Sequence, residues 1–541
     1  MGRVFTGGIS RVNVTVMANS QDFNAALARA DGLLRSRNAQ AVIAICEDLL
    51  RAAPAAVAPR LMIARAEQMR HRPDLMLDQV GVVLNADPTQ FDARLIRIEA
   101  LIAQSNIAQA HTEIREILQS ASLSASELGR IAEIQTQVAD HDGTLESLLR
   151  GLALSSDQDR QRLSLLYNLS SAYIALGEMD KAEQTLDELI QLNPSDFDAY
   201  YNRATLRSQT PERNHIEALE TQLKRPNLPP MGEVQLAYAL AKEREDIGDY
   251  QRSFAALARG AKRRRANMAY AVDGDLDTMS LLQRVFNADF ASTDFNGCHD
   301  TRPVFIVGLP RSGTTLVDRI ITSHPEAESV GEINDLPLAI TRLSGSVQTK
   351  EGLVRNSSRL DMQELGETYL KGLEGRGATS RRVVDKTPLN FLYIGLIAKA
   401  LPEARIIHVT RNPMDVGYAI FKTLFRMGYP FSYDQSDLAH YITAKTRLMS
   451  HWHEMFPGRV HDVAYESLIA NQEGVSRDLI AAIGLDWDPA CLNFHTNQSA
   501  SSTASAAQVR RPLYTSSVEK WRHYEAELAP LAAGLKIGRA L

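Results

Sequence analysis

VFIVGLPRSGTT (Val304–Thr315) begins as a short apolar, β-branched run, breaks at Gly308 into a loop and resumes as a helix. A strand, a glycine-bearing loop and a helix N-terminus in that order form a cradle for an anion. The N–H groups that open a helix have no intrahelical acceptor, and the positive end of the helix dipole lies behind them. Together they hold an anion with about 0.3–2 kcal/mol before any side chain contributes. Ser312, Thr314 and Thr315 add hydroxyl donors, and Arg311 adds a fixed positive charge inside the loop.

Downstream the pattern repeats. Val304 to Val307 reads as a strand, and Thr314 to Ser323 as a helix with Leu316, Ile320 and Ile321 on its apolar side. Arg382 to Val384 reads as a second strand, and Asn390 to Leu401 as a helix carrying Phe391, Ile394 and Ile397 at helical spacing. Arg405 to Val409 is a buried-type strand, and Pro413 opens the next helix, where its missing N–H costs nothing. Such alternation predicts βαβ units, a mostly parallel sheet and ligands at the carboxyl ends of its strands. Arg311, Glu332, Lys386 and Arg411 fall at or near those ends.

Upstream, residues 20–265 are rich in Ala, Leu, Glu, Gln and Arg and read as helices with short breaks. Pro54 and Pro88 stand 34 residues apart, each closing a Leu- and Ala-rich helix, and Pro194 closes another. That is the tetratricopeptide period. The best copy runs from Leu163 to Asp196, with Leu169, Tyr173, Gly177, Ala182, Leu186 and Leu189 at the apolar, aromatic, turn and small positions. Gly248 to Leu257 reads as the turn and second helix of a later copy, whereas between about Asp92 and Asp157 only helical pairs of weak register are expected. Helix pairs of this kind bury their apolar faces by stacking, which predicts a curved solenoid for a protein partner, an extended peptide or self-association. The basic run Lys262–Arg265 ends the array and is expected to be a solvated helix end.

A chain of 541 residues exceeds one core. The expected division is a disordered extension over 1–19, a repeat domain over 20–265, a helix around Leu276 to Phe286 and a linker over 266–301, and an α/β domain over 302–541. A net charge of −6 argues against nucleic acid or an anionic membrane as an electrostatic partner. Cys46, Cys298 and Cys491 lie far apart without a C-x-x-C pair, indicating neither a disulfide framework nor zinc, and Cys46 reads as a core residue. His451 and His453, two apart on a helix, do not face each other and suggest no metal site. Without an apolar run near roughly 18 residues or a signal segment, a cytoplasmic protein is expected.

The spacing Gly308-x-x-x-x-Gly313 is that of a P-loop, but Thr314 stands where nucleotide triphosphatases carry Lys. Pro310–Leu316 instead resembles the 5′-phosphosulfate loop of sulfotransferases that use 3′-phosphoadenosine 5′-phosphosulfate (PAPS). The resemblance implies that Arg311, Ser312, Gly313, Thr314 and Thr315 hold that end of the nucleotide. Arg411, opening RNPMDVGYAIF, resembles the Arg that grips the 3′-phosphate, although Ala419 stands where the family usually has Ser. Asp385-Lys386-Thr387-Pro388 resembles the segment of the catalytic Lys; Pro388 replaces the His that serves as base in the small-molecule branch. Gly331-Glu332 resembles the base of the tyrosylprotein sulfotransferase branch, with Glu332 21 residues after Arg311. Tyr465 in VAYESL and the stretch Ser505–Tyr514 resemble adenine- and 3′-phosphate-side elements of TPR-bearing bacterial relatives, and Arg511 holds the place of a nucleotide-binding Lys of the tyrosylprotein branch.

A TPR-bearing PAPS-dependent sulfotransferase is therefore the expectation. Glu332 would be the base, Arg311 and Lys386 would answer developing charge, and no metal would be required. The acceptor would be a hydroxyl of a protein or peptide tyrosine, or of a small molecule. Two alternatives stand beside it: a kinase-like P-loop phosphotransferase, and a non-catalytic TPR scaffold with a degenerate nucleotide domain.

Overall fold

The computed structural model describes residues 20–497, save 71, 105, 120, 121, 139, 157, 158, 346, 348, 426 and 427, together with 513 and 517–540. The extension expected over 1–19 lies outside these residues. The chain forms two compact units, one of residues 1–123, 134–138 and 375–377, the other of 124–133, 139–374 and 378–541.

The first unit contains the helices Ser20–Arg35, Ala39–Ala52, Val57–Met69, Pro73–Ala86, Phe91–Ala103 and Ile107–Leu118. Asn38 and Asn106 cap two of them, their side chains accepting from the N–H groups of Ala41 and Gln109. Small apolar clusters lie between neighbours: Ala30, Val42, Cys46 and Ile63 in one, Met76, Val80, Ile96 and Ala100 in another. Cys46 is fully buried, and burial pushes its thiol up to about 11, so it packs as a small apolar residue.

In the second unit the helices Arg160–Leu176 and Met179–Leu192 turn on Gly177, whose φ of 84° is left-handed backbone that favours glycine. Leu166, Ala182, Leu186 and Leu189 close the core between them. Further along, Pro230–Asp246 packs against Tyr250–Ala266, and Gly260 admits the Tyr238 ring where a Cβ would stand 2.8 Å from it. That pair does not end the helical part cleanly. Phe197, Tyr238 and Phe254 belong to the same continuous core as Phe305, Phe391, Tyr418 and Trp452 of the α/β part.

Glu245 is buried in this shared core. Its Oε1 accepts from Lys422 Nζ at 2.7 Å and from Lys520; its Oε2 accepts from the hydroxyls of Tyr418 and, at 3.2 Å, Tyr524. The basic run is more than a solvated end: Arg265 pairs with Asp437 at 2.9 Å and Arg264 lies over the Tyr433 ring.

Five parallel strands form the sheet: β1 (Pro303–Gly308), β2 (Ala327–Gly331), β3 (Arg382–Asp385), β4 (Arg405–Thr410) and β5 (Val460–Ala464), in the order β2-β3-β1-β4-β5. The run PVFIVG is buried along its whole length because β1 is central and covered on both faces. The edge strands β2 and β5 did not show in the sequence pattern; AESVG and VHDVA are short and half polar, as edges tend to be. The helix expected over Asn390–Leu401 is instead a 3₁₀ segment, Pro388–Tyr393, followed by the helix Ile394–Ala400. Pro388 supplies no N–H there, and the Asn390 amide turns back to donate to Asp385 at 3.1 Å.

Candidate functional site

Central position gives the β1 loop its rigidity. After Gly308 the chain turns through Arg311, at φ 66°, and Gly313, at φ 106°, into the helix Thr314–Thr322. A Cβ on Gly313 would stand 2.6 Å from the Tyr465 ring, so the loop can close against that ring only with glycine here. Ser312, Thr314 and Thr315 are buried, and the Ser312 hydroxyl has no hydrogen-bond partner among the described residues. A buried hydroxyl without a partner costs stability unless a ligand or water meets it.

Arg411 directly follows β4. Asn412 caps the helix Pro413–Phe421 by accepting from the Met414 N–H at 2.9 Å, which fixes the chain on either side of the arginine. The Arg411 guanidinium lies 4.6 Å from the centre of the Tyr465 ring and donates to the carbonyls of Arg311, at 3.0 Å, and Ser517, at 2.6 Å. No carboxylate pairs with it among the described residues, and its Nε has no partner there. Tyr465 shares a 2.7 Å hydrogen bond with Ser517 Oγ. Carbonyls and a π-face orient a guanidinium without neutralising it, which suits an incoming dianion. Ala419, on the same helix, is buried and offers no hydroxyl.

The second group of residues lies where β2 and β3 end. Lys386 N–H donates to the Gly331 carbonyl at 2.9 Å, Ile333 N–H donates to Thr387 Oγ1 at 3.1 Å, and that hydroxyl donates to the Ile333 carbonyl at 3.0 Å. These three bonds clip the two strand ends together and bring Lys386 Nζ to 2.5 Å from Glu332 Oε1. Lys386 is 2% exposed and Glu332 46%, so the pair reaches from the core to an accessible carboxylate. Asp318, one helical turn beyond Thr314, lies close enough to sense both. Burial pushes its carboxyl up and Lys386 draws it partly back, which links this pair to the loop helix.

Behind Lys386, Asp385 is fully buried, accepting from Asn390 and from the Tyr369 hydroxyl at 3.3 Å; burial pushes its carboxyl up to about 7. Its folded value thus lies above the ordinary 3.8. Below about pH 4 both states are protonated; between about pH 4 and 7 the unfolded chain sheds the proton that the folded chain keeps, so stability falls and then levels off. Asp385→Asn removes this term. Its stability relative to the parent should rise by up to about 4 kcal/mol from pH 4 to 7 and stay flat above; urea midpoints across that range check it, and parallel pH profiles would refute it.

The structure gathers Arg311, Ser312, Gly313, Thr314, Thr315, Arg411 and Tyr465 at the ends of β1, β4 and β5, and Glu332 with Lys386 at the ends of β2 and β3. Arg511 lies outside the described residues. Asp318 and Ser517 were not singled out from the sequence. An acidic residue one turn after Thr314, on the threonine-bearing side of the loop helix, was a legible signal for Asp318, whereas nothing local marks Ser517, which acts through its carbonyl and its hydroxyl.

With this geometry in view, residues 303–489 match the model of the sulfotransferase family and residues 163–196 that of the tetratricopeptide repeat. The α/β part is thus a sulfotransferase-family domain, preceded by helices that include a tetratricopeptide repeat. Among relatives, an uncharacterized protein of Aquifex aeolicus (strain VF5) is 28% identical over 388 residues, which are 70% of this chain and 50% of that protein. The chain therefore spans about half the length of that relative. A putative protein-tyrosine sulfotransferase of Caenorhabditis briggsae is 25% identical over 229 residues, covering 40% of this chain and 80% of its own. Protein-tyrosine sulfotransferase 1 of Danio rerio is 24% identical over 249 residues, covering 42% and 68%. Among the described residues no helix is long and apolar enough to cross a membrane.

Proposed function

We propose that this protein transfers a sulfuryl group from PAPS to an acceptor hydroxyl. The observation that carries this reading is Arg411, held over Tyr465 by backbone carbonyls and paired with no carboxylate among the described residues, next to a glycine-closed loop whose buried Ser312 hydroxyl has no partner among those residues. Both features ask for anions, one at each end of a bisphosphorylated nucleotide. The loop Arg311–Thr315 suits the 5′-phosphosulfate; Arg411, Tyr465 and Arg511 suit the 3′-phosphate side.

When bound, PAPS supplies the sulfuryl group: a bond forms from the acceptor oxygen to sulfur as the bond from sulfur to the 5′-phosphate oxygen breaks, leaving adenosine 3′,5′-bisphosphate. Glu332 takes the acceptor's proton on its carboxylate, whose Oε1 alone is engaged by Lys386. Lys386 and Arg311 are fixed cations that answer charge developing on the transferring group and the leaving phosphate, and the burial of Lys386 strengthens its field. The names of the animal relatives favour a protein or peptide tyrosine as acceptor. We assign acceptor or partner contact to the helices of 20–265, the helix and linker of 266–301 to joining, and the chemistry to 302–541.

Calorimetry with adenosine 3′,5′-bisphosphate and with Mg-ATP tests the donor. Heat with the bisphosphate and none with ATP is expected. Binding of ATP instead would favour the phosphotransferase reading, and no heat from PAPS at high micromolar concentration would favour a scaffold. Incubating lysate with this protein and labelled PAPS, followed by mass spectrometry, identifies the acceptor.

A further inference from the structure

His408 and Asp462 are register partners on β4 and β5, so their side chains leave the sheet side by side on one face. His453 reaches them from the last turn of the helix Gln435–Met455. His408 Nδ1 lies 2.6 Å from Asp462 Oδ1 and His453 Nε2 3.1 Å from Asp462 Oδ2, and one ligand atom from each of the three residues falls within 4.8 Å of the others. His451, two residues before His453, points away and bonds the Phe286 carbonyl at 2.9 Å.

We propose that His408, His453 and Asp462 bind a divalent transition-metal cation, with zinc as the reference ion. Two imidazoles and a carboxylate are a donor set that zinc takes in open, three-ligand sites. Donors about 2.0–2.1 Å from a tetrahedral ion stand about 3.3 Å apart; the 2.6 and 3.1 Å distances to Asp462 are both shorter, so the two imidazoles must draw back slightly from the carboxylate to admit the ion. Two adjacent strands and a packed helix hold the three side chains, which limits the reorganisation that binding requires. A cavity of about 290 Å³, which also reaches Ser312 and Arg411, adjoins all three; Thr446 and Ser450 line it beside them, leaving room for a fourth ligand. Asp462 is about half exposed and His453 36%, so an ion can enter.

One neighbour works against the ion. Lys445, buried, hydrogen-bonds His408 Nε2. Burial pushes its amine down to about 7, so near neutrality only part of the molecules carry an ammonium there; in that form it can only donate, and the ring proton sits on Nδ1 and goes to Asp462. A cation on Nδ1 sends that proton to Nε2, where it faces Lys445. Metal ligands ordinarily give their second ring N–H to an acceptor. Lys445→Gln supplies one through its carbonyl oxygen, and the variant should bind the ion more tightly.

The test uses the full chain stripped with EDTA and returned to equimolar zinc. Metal retained after desalting is measured by mass spectrometry, affinity by competition with a chromophoric chelator, and thermal midpoint alongside. The expected result is one zinc per chain with a raised midpoint. His453→Ala should weaken zinc at least about 100-fold, since even outer partners of a metal ligand cost 10- to 100-fold. His453→Gln keeps a donor for Asp462 and should fold normally yet lose zinc in the same way, while Lys445→Gln should tighten it about 10-fold. Absence of retained zinc in the parent, or zinc retained equally by the His453 variants, overturns the proposal.

Discussion

Glu332→Gln should lower sulfuryl transfer about 10²- to 10⁴-fold while leaving the affinity for adenosine 3′,5′-bisphosphate nearly unchanged. The two side chains have the same shape, and a Gln carbonyl oxygen can still accept from Lys386, so the clip between the ends of β2 and β3 persists. What disappears is a carboxylate able to take the acceptor's proton. The nucleotide contacts we propose lie elsewhere, on the β1 loop and Arg411, and should not register the change. Transfer of label from PAPS to acceptor, measured beside calorimetry, separates the two quantities. Normal turnover in this variant would remove Glu332 from the role of base; lost nucleotide binding would make it a structural residue.

Glu245→Ala should destabilise the second unit by about 3–5 kcal/mol, because it strands Lys422 and Lys520 beside a buried void without a counter-charge. Burial by itself would raise the Glu245 carboxyl, but Lys422 and Lys520 hold it well below the usual carboxylate range. A depressed folded value contributes stability that is full above about pH 4.5 and is lost as pH falls toward it. The difference between parent and variant in urea midpoint should therefore be constant near neutrality and shrink on acidification. A difference under about 1 kcal/mol at pH 7 would show that the hub is no stronger than a surface pair.

The sequence and the structure agree where a residue's role depends on its chain neighbours. Val304–Val307 announced itself because a central parallel strand must be apolar on both faces, and Gly177 because a helix pair needs its turn. Glu332 and Lys386 were found through motif resemblance and spacing, while the bonds that bring them together, through Gly331, Ile333 and Thr387, leave no local pattern. β2 and β5 were missed because half their residues face polar surroundings. Glu245 was illegible for a different reason. It stands in KEREDIGDY, a charged run that reads as solvated, and only the burial of most of the helix Pro230–Asp246 turns it inward. His453 was weighed against His451, its neighbour in the chain, whereas its partners lie on two strands.

The core that runs unbroken from Phe197 through Phe254 to Phe305 bears on how such a protein can be divided. A fragment starting at Arg302 would keep the loop, Lys386 and Arg411, yet it would lay bare Tyr418, Phe421 and Tyr524 and deprive Lys422 and Lys520 of Glu245. Lys422 follows directly on the helix that Arg411 precedes, and Lys520 stands three residues after Ser517, whose carbonyl orients Arg411. Recombination that exchanged the chemistry between proteins would have to carry the helices from about Phe197 onward with it. The segment that can be inherited intact is therefore longer than the segment that reacts.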